Sequence, residues 1–203
     1  MSTRTELVSL PSMQPLQAAV ASGDEDLADQ LKRLIQDDLA ALYGEDDVDA
    51  EEHDEFQAMV QEMILSKSPP SEEPGTWQAL IRRLAVVWKL DVKSDYSFNQ
   101  RGWHHYGCWG PYRKMLTGCI TVDSLKLLEY LDLGRPLRGD TVEDDGCLFA
   151  WLDPDEVIRL EEELSSLEES AIVIEELQDF HELLTECLDE VAQQQHALLL
   201  LAN

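Results

Sequence analysis

The densest group of potentially reactive side chains lies at residues 102–114, where the sequence reads GWHHYGCWGPYRK. Either His104 or His105, together with Cys108, could supply two ligands for a soft or borderline metal ion, and Cys119 could supply a third. Their spacing matches no zinc-finger pattern. A cysteine nucleophile needs a base that a third group orients, and adjacency in sequence does not supply that geometry. We therefore assign no catalytic residue, metal or cofactor to this segment.

The same segment combines aromatic rings with cationic side chains. Guanidinium groups bind carboxylates or phosphates, and aromatic faces stack on bases, so the combination favours a pocket for a small anion or a nucleotide-like ligand. Two alternatives compete with this hypothesis: the rings belong to the hydrophobic core with the histidines as its polar edges, or the cations are solvated and neutralise the acidic ends of the chain. The candidate ligand-binding residues are Arg101, Trp103, His104, His105, Trp109, Tyr112 and Arg113.

Net charge divides the chain into three parts. The 203 residues include 15 Lys and Arg against 42 Asp and Glu, for a formal charge of −27. Residues 1–66 hold 3 basic and 16 acidic side chains, residues 67–138 hold 11 and 7, and residues 139–203 hold 1 and 19. Direct binding to nucleic acid or to an anionic membrane surface is disfavoured, because both depend on cationic side chains. The acidic ends have two interpretations: solvated faces of amphipathic helices, or one common negative surface for a basic protein partner, as in inhibitor or immunity proteins.

The lengths of the apolar runs and the spacing of the cysteines bear on the cellular location of the protein. The longest apolar runs, such as residues 197–202, fall far short of the roughly 20 residues that a membrane span requires. No signal-peptide stretch follows the N-terminus, and the four cysteines form no CxxC pair. We expect a cytoplasmic protein without membrane contact, with free thiols that are small buried apolar groups.

Hydrophobic periodicity places helices between two terminal strands. Residues 6–10 predict a strand that Pro11 ends, and the apolar residues 198–201 predict a second strand able to pair with it. Asp153-Pro154 predicts a capped helix start, and apolar residues at three- and four-residue steps predict further helices. We expect one mostly helical α+β domain over residues 1–203, with a small sheet that includes the N- and C-terminal strands. Three segments are predicted to lack regular structure: an acidic connector near 44–55, a proline-rich connector near 68–75 and an irregular aromatic and basic segment at 91–120, in which short strands are an alternative.

Three stretches carry a resemblance to a known group. Residues 16–31 (LQAAVASGDEDLADQL), 150–164 (AWLDPDEVIRLEEEL) and 196–203 (HALLLLAN) resemble landmarks of the YfbM-like group of uncharacterised bacterial proteins. The resemblance implies a bacterial α+β protein, and it implies no activity and no functional residues. From charge, we expect a non-enzymatic, immunity-like acidic module that binds a basic protein partner. The alternative is a binder or enzyme for a small anion or nucleotide that uses the central segment.

Overall fold

The computed structural model describes residues 5–43, 54, 57–58, 60–66, 83–84, 86–87, 93–95, 105–137 and 148–202. The proline-rich connector near 68–75 lies outside these residues, as does the acidic connector near 44–55 apart from residue 54. The strands are β1 (Thr5–Leu10), β2 (Lys93–Asp95), β3 (Leu148–Leu152) and β4 (Ala197–Ala202). The α-helices with described bounds are α1 (Gln14–Ala19), α2 (Glu25–Tyr43), α3 (His105–Met115), α4 (Val122–Leu133), α5 (Pro154–Ser165) and α6 (Gln178–Gln193), and a π-helix spans Gln61–Leu65.

The four strands form one antiparallel sheet in the order β2-β1-β4-β3. The first and last strands pair along their whole length, from Thr5 opposite Ala202 to Leu10 opposite Ala197. The predicted α+β class and the pairing of the two terminal strands are therefore confirmed.

Both faces of this sheet are buried under helices. Strand side chains alternate between faces, so Leu198 and Leu200 enter one core while Leu199 enters the other. The first core is completed by α3, α4, α5 and α6, and the second by α1, α2 and the π-helix. Burial on both faces explains why β4 reads as a continuous apolar run instead of an alternating one.

Helix α3 corrects the prediction that residues 91–120 are irregular. Residues 93–95 form the short strand that was expected as an alternative, but residues 105–115 are α-helical despite two glycines and the internal Pro111. Pro111 is exposed, so its ring faces solvent, and the helix buries Trp109, Tyr112 and Leu116 at helical spacing. Burial of these large side chains outweighs the cost of about 3 kcal/mol that proline imposes on a helix interior.

The segment after α4 covers the edge of strand β3. Gly134 ends α4 with φ at 95°, which is a conformation that glycine tolerates, and Arg135 then donates its backbone N–H to the Phe149 carbonyl at 2.9 Å. The Arg135 guanidinium lies 3.7 Å from the ring centroid of Trp151 and 2.5 Å from the Glu156 carboxylate. This one residue therefore satisfies part of an otherwise open strand edge and joins it to helix α5.

Helices α5 and α6 pack against each other beside the sheet. Helix α5 begins as predicted at Pro154, and the Glu156 carboxylate accepts the Asp153 backbone N–H at 2.9 Å in a capping box. The buried side of α5 consists of Val157, Leu160 and Leu164, while that of α6 includes Phe180, Leu184 and Leu188. The five acidic residues of α6 are thereby left exposed, as are Asp155 and Glu162 of α5.

Candidate functional site

Trp109 and Tyr112 belong to the hydrophobic core. Trp109 is 2% exposed and Tyr112 is 0% exposed. Both rings meet Phe180 of α6 edge to face, with centroid separations of 5.1 Å in each case. Aromatic pairs in this geometry stabilise a core beyond the area that they bury. The two rings therefore join α3 to α6, as the core alternative expected.

A polar contact adjoins these aromatic pairs. The Tyr112 hydroxyl lies 2.6 Å from Nδ1 of His181 on α6, and the two rings are tilted at 36° to each other. Burial raises the pKa of Tyr112 and lowers the pKa of His181, whose neighbour Glu182 opposes the second shift. Both side chains are consequently neutral near pH 7, and this part of the interface carries no net charge.

The charge of Arg113 is balanced within the protein. Its guanidinium lies 2.8 Å from Asp132 and 3.3 Å from Glu129, both on α4. A hydrogen bond from Lys126 is the main factor that lowers the pKa of Glu129, with the charges of Lys126 and Arg113 adding to it. Arg113 therefore connects α3 to α4 through ion pairs, but its partners belong to the central part of the chain and not to the acidic ends that it was expected to neutralise.

The structure brings together some of the predicted ligand-binding residues. Trp109 and Tyr112 meet at Phe180, whereas Arg113 is directed to α4, and His105 is the first residue of α3. The remaining candidates, Arg101, Trp103 and His104, lie outside the described residues. A ligand pocket built from the whole set stays a prediction.

The cysteines differ in exposure. Cys108 and Cys187 are buried free thiols, and burial raises the pKa of Cys108, but Cys119 is exposed. The expectation that every cysteine is a buried apolar group is therefore wrong for Cys119, which lies in the turn between α3 and α4. It borders an open depression of about 380 Å³ whose other lining residues include Thr121 and Glu163. Among the residues that the structure describes, no three His, Cys, Asp or Glu side chains are grouped so that they could hold a metal ion.

A serine–histidine contact connects the two ends of the described chain. Ser9 Oγ of β1 lies 3.0 Å from Nδ1 of His196, which precedes β4. Such a pair is the minimal arrangement of a nucleophile and its base. Ser9 is only 6% exposed and lies in a strand whose neighbours are buried apolar residues. The contact accordingly stabilises the pairing of β1 with β4.

Among the described residues, a row of carboxylates on α6 is a prominent surface feature. We call Asp179, Glu182, Glu186, Asp189 and Glu190 the α6 acidic face; all five are exposed. Their spacing of three and four residues places most of them along one side of the helix, over a length of about 16 Å. Residues 160–203 contain neither lysine nor arginine.

The surroundings of the α6 acidic face add further negative charge. Exposed carboxylates also occur on α5 and in the connection to α6, namely Asp155, Glu162, Glu168, Glu175 and Glu176. The one arginine in residues 148–202 is Arg159, and its guanidinium lies 3.9 Å from Asp123 of α4. Residues 148–202 therefore hold one arginine and no lysine beside these carboxylates.

The acidic residues of α2 lie apart from those of α5 and α6. Helix α2 packs on the face of the sheet opposite to α5 and α6. Its exposed acids are interrupted by cations, since Asp26 and Asp29 are followed by Lys32 and Arg33. The acidic residues between 44 and 53 and between 139 and 147 lie outside the described residues, so the hypothesis of one common negative surface stays a prediction. Among the described residues, the concentrated charge lies on α5, α6 and their connection.

Comparison with known proteins supplies no relative. No family model matches the chain, and no curated protein or solved structure shows a significant match to it. The resemblance to the YfbM-like group stays a prediction. Within the part of the chain that the structure describes, no helix is both long enough and apolar enough to cross a membrane.

Proposed function

We propose that this protein is a non-enzymatic binding module that docks a basic protein partner on the α6 acidic face. The observation that carries the proposal is the set of five exposed carboxylates on one helix, in a stretch of sequence that contains no lysine or arginine. Complementary charge steers association and suppresses wrong partners, so such a surface suits an inhibitor- or immunity-like role.

The arrangement is unfavourable for the isolated helix, which supports a role in binding. Like charges three or four residues apart destabilise a helix by about 0.2–0.5 kcal/mol per pair. The α6 acidic face contains four such pairs: 179 with 182, 182 with 186, and 186 with both 189 and 190. The total cost is roughly 1–2 kcal/mol. A cationic partner would remove this repulsion on binding and gain favourable contacts in its place.

Composition and resemblance bear on the cellular location of the protein and on the type of partner. The chain has no run of apolar residues long enough for a membrane span, and its net charge of −27 disfavours nucleic acid as the direct ligand. Together with the likeness to a bacterial group, these features favour a bacterial cytoplasmic protein whose partner is itself a protein.

Matched charge variants test the proposal. The first variant replaces Glu182 and Glu186 with Gln and Asp189 with Asn, whereas the control replaces three acids of α2, Asp26, Asp29 and Asp37, with Asn. Each variant loses three negative charges, but only the first alters the α6 acidic face. Both are immobilised beside the wild type and exposed to bacterial lysate at about 0.15 M salt. Bound proteins are then identified and quantified by mass spectrometry.

We expect basic proteins to be retained by the wild type and by the α2 control and lost from the α6 variant. Retention should also fall steeply as salt is raised, because the interaction depends on exposed charge. Equal recovery of the same proteins by the α6 variant and the wild type would exclude the α6 acidic face as the docking surface. Equal loss from both variants would show that total charge, rather than this face, governs binding.

The alternative function, binding of a small anion or nucleotide, has less support from the described residues. Trp109 and Tyr112 are enclosed by the core, and Arg113 is held by two carboxylates. We therefore place the protein-binding proposal first.

A further inference from the structure

The contact between α3 and α6 contains a titratable hydrogen bond inside an aromatic cluster. Tyr112 is fully buried, and its hydroxyl lies 2.6 Å from Nδ1 of His181. Phe180, the residue before His181, packs edge to face against both Tyr112 and Trp109. A change in the state of His181 is therefore adjacent to the rings that join the two helices.

The protonation state of the imidazole decides whether this hydrogen bond can be satisfied. When Nδ1 carries no proton, it accepts the hydrogen of the Tyr112 hydroxyl, and both groups are paired. An imidazolium has N–H donors at both nitrogens, so the Tyr112 oxygen must then accept and its own hydrogen must turn elsewhere. That reorientation takes place in a buried site, where an unsatisfied donor is costly.

We propose that the Tyr112–His181 hydrogen bond is a pH-sensitive joint between α3 and α6, closed while His181 is neutral and loosened when His181 takes up a proton. The joint belongs to the fold itself, and it does not depend on the proposed partner.

The charged and titratable neighbours of His181 determine when the joint loosens. Helix α3 contributes Tyr112 and, one turn earlier on the same side, the Cys108 thiol, while Arg113 is directed away to the carboxylates of α4. Helix α6 contributes Glu182, whose charge favours the imidazolium. The buried side of α5 consists of Val157, Leu160 and Leu164, which do not titrate.

Burial dominates among these influences and lowers the pKa of His181. A histidine whose pKa is lower in the folded state than in the unfolded chain takes up protons more readily when unfolded. Its contribution to stability is therefore complete above the unfolded pKa of about 6.5 and is lost as pH falls towards the folded pKa. The joint is closed at neutral pH and loosens under mildly acidic conditions.

The test is an NMR titration of the whole protein between about pH 5 and pH 8. The imidazole resonances of His181 give its midpoint, which is compared with the value of about 6.5 for a histidine in an unfolded chain. The indole N–H resonance of Trp109 reports on the packing of α3 against α6. Two variants complete the test: Tyr112→Phe removes the hydroxyl, and His181→Gln leaves an acceptor that does not titrate.

We expect His181 to titrate below the ordinary histidine value of about 6.5 and the Trp109 resonance to move with the His181 midpoint. In Tyr112→Phe the neutral imidazole loses its donor, so the His181 midpoint should rise. In His181→Gln the Trp109 resonance should no longer move over this range. The proposal is overturned if His181 titrates at or above about pH 6.5, or if the pH-dependent movement of Trp109 persists in His181→Gln. The His181→Gln measurement tests the proposal even if Tyr112→Phe fails to fold.

Discussion

Reversing one charge at the centre of the α6 acidic face should stabilise the fold. Glu186 has acidic neighbours at positions 182, 189 and 190, and all of these side chains are exposed. Glu186→Lys removes three repulsions of about 0.2–0.5 kcal/mol each and replaces them with attractions of similar size. Allowing for side-chain freedom and screening by salt, we expect a gain of about 1–2 kcal/mol in the free energy of unfolding.

The assay is urea unfolding followed by circular dichroism, at low and at high salt. The gain should shrink at high salt, and at low salt the melting temperature should rise by about 2–4 °C for each kcal/mol. Asp29→Lys on α2 is the matched control, because it makes the same change in net charge at an exposed helical position. The new lysine would face Glu25 and Asp26 on one side and Lys32 and Arg33 on the other, so its attractions and repulsions largely cancel.

Equal stabilisation by the two substitutions would refute this reasoning. It would mean that relief of the overall negative charge, rather than repulsion along α6, sets the gain. Under the proposed function, Glu186→Lys should also weaken binding of the basic partner while Asp29→Lys leaves it unchanged. A more stable protein that binds less well is the combination expected when a surface is arranged for recognition at some cost in stability.

Two further predictions concern side chains outside the α6 acidic face. Arg135→Ala should lower the free energy of unfolding by about 2–3 kcal/mol, because it removes a cation–π contact and a charge-assisted hydrogen bond from a side chain that is only 20% exposed. Arg159→Ala, at an exposed arginine, should change stability by less than about 0.5 kcal/mol, and a similar loss in both variants would contradict the role given to Arg135. Cys119 should react with an alkylating reagent in the folded protein, whereas Cys108 and Cys187 should react only after unfolding. Peptide mapping by mass spectrometry checks this order, and early labelling of Cys108 would contradict the burial described above.

Features that a few neighbouring residues determine were predictable from the sequence. The start of α5 follows from Asp153, Pro154 and Glu156, whose capping roles depend only on local backbone geometry. The terminal strands were also predictable, since each is a short apolar run next to a proline or a polar turn. Helix α3 was not, because glycine and Pro111 signal a break that tertiary burial of Trp109 and Tyr112 overrides.

Features that depend on long-range packing had no local signal. Tyr112 and His181 are 69 residues apart, and neither position differs in sequence from an ordinary core or surface residue. The opposite placement of α2 and α6 was likewise hidden: the apolar run of β4 predicts burial on both faces but does not specify which helix covers which face. For this reason the sequence alone could not separate the two acidic ends, whereas among the described residues the concentrated charge lies on α5, α6 and their connection.

The central pairing of β1 with β4 has a consequence for biosynthesis. During translation, residues 5–10 leave the ribosome long before residues 197–202, so β1 spends most of synthesis without its principal neighbour. Bringing the two strands together closes a long loop, and the entropy of closure is lost before the contacts between the strands form. This order slows folding. The exposed apolar strand is then a natural target for chaperones, and the sheet can be completed only after the ribosome has added the final strand.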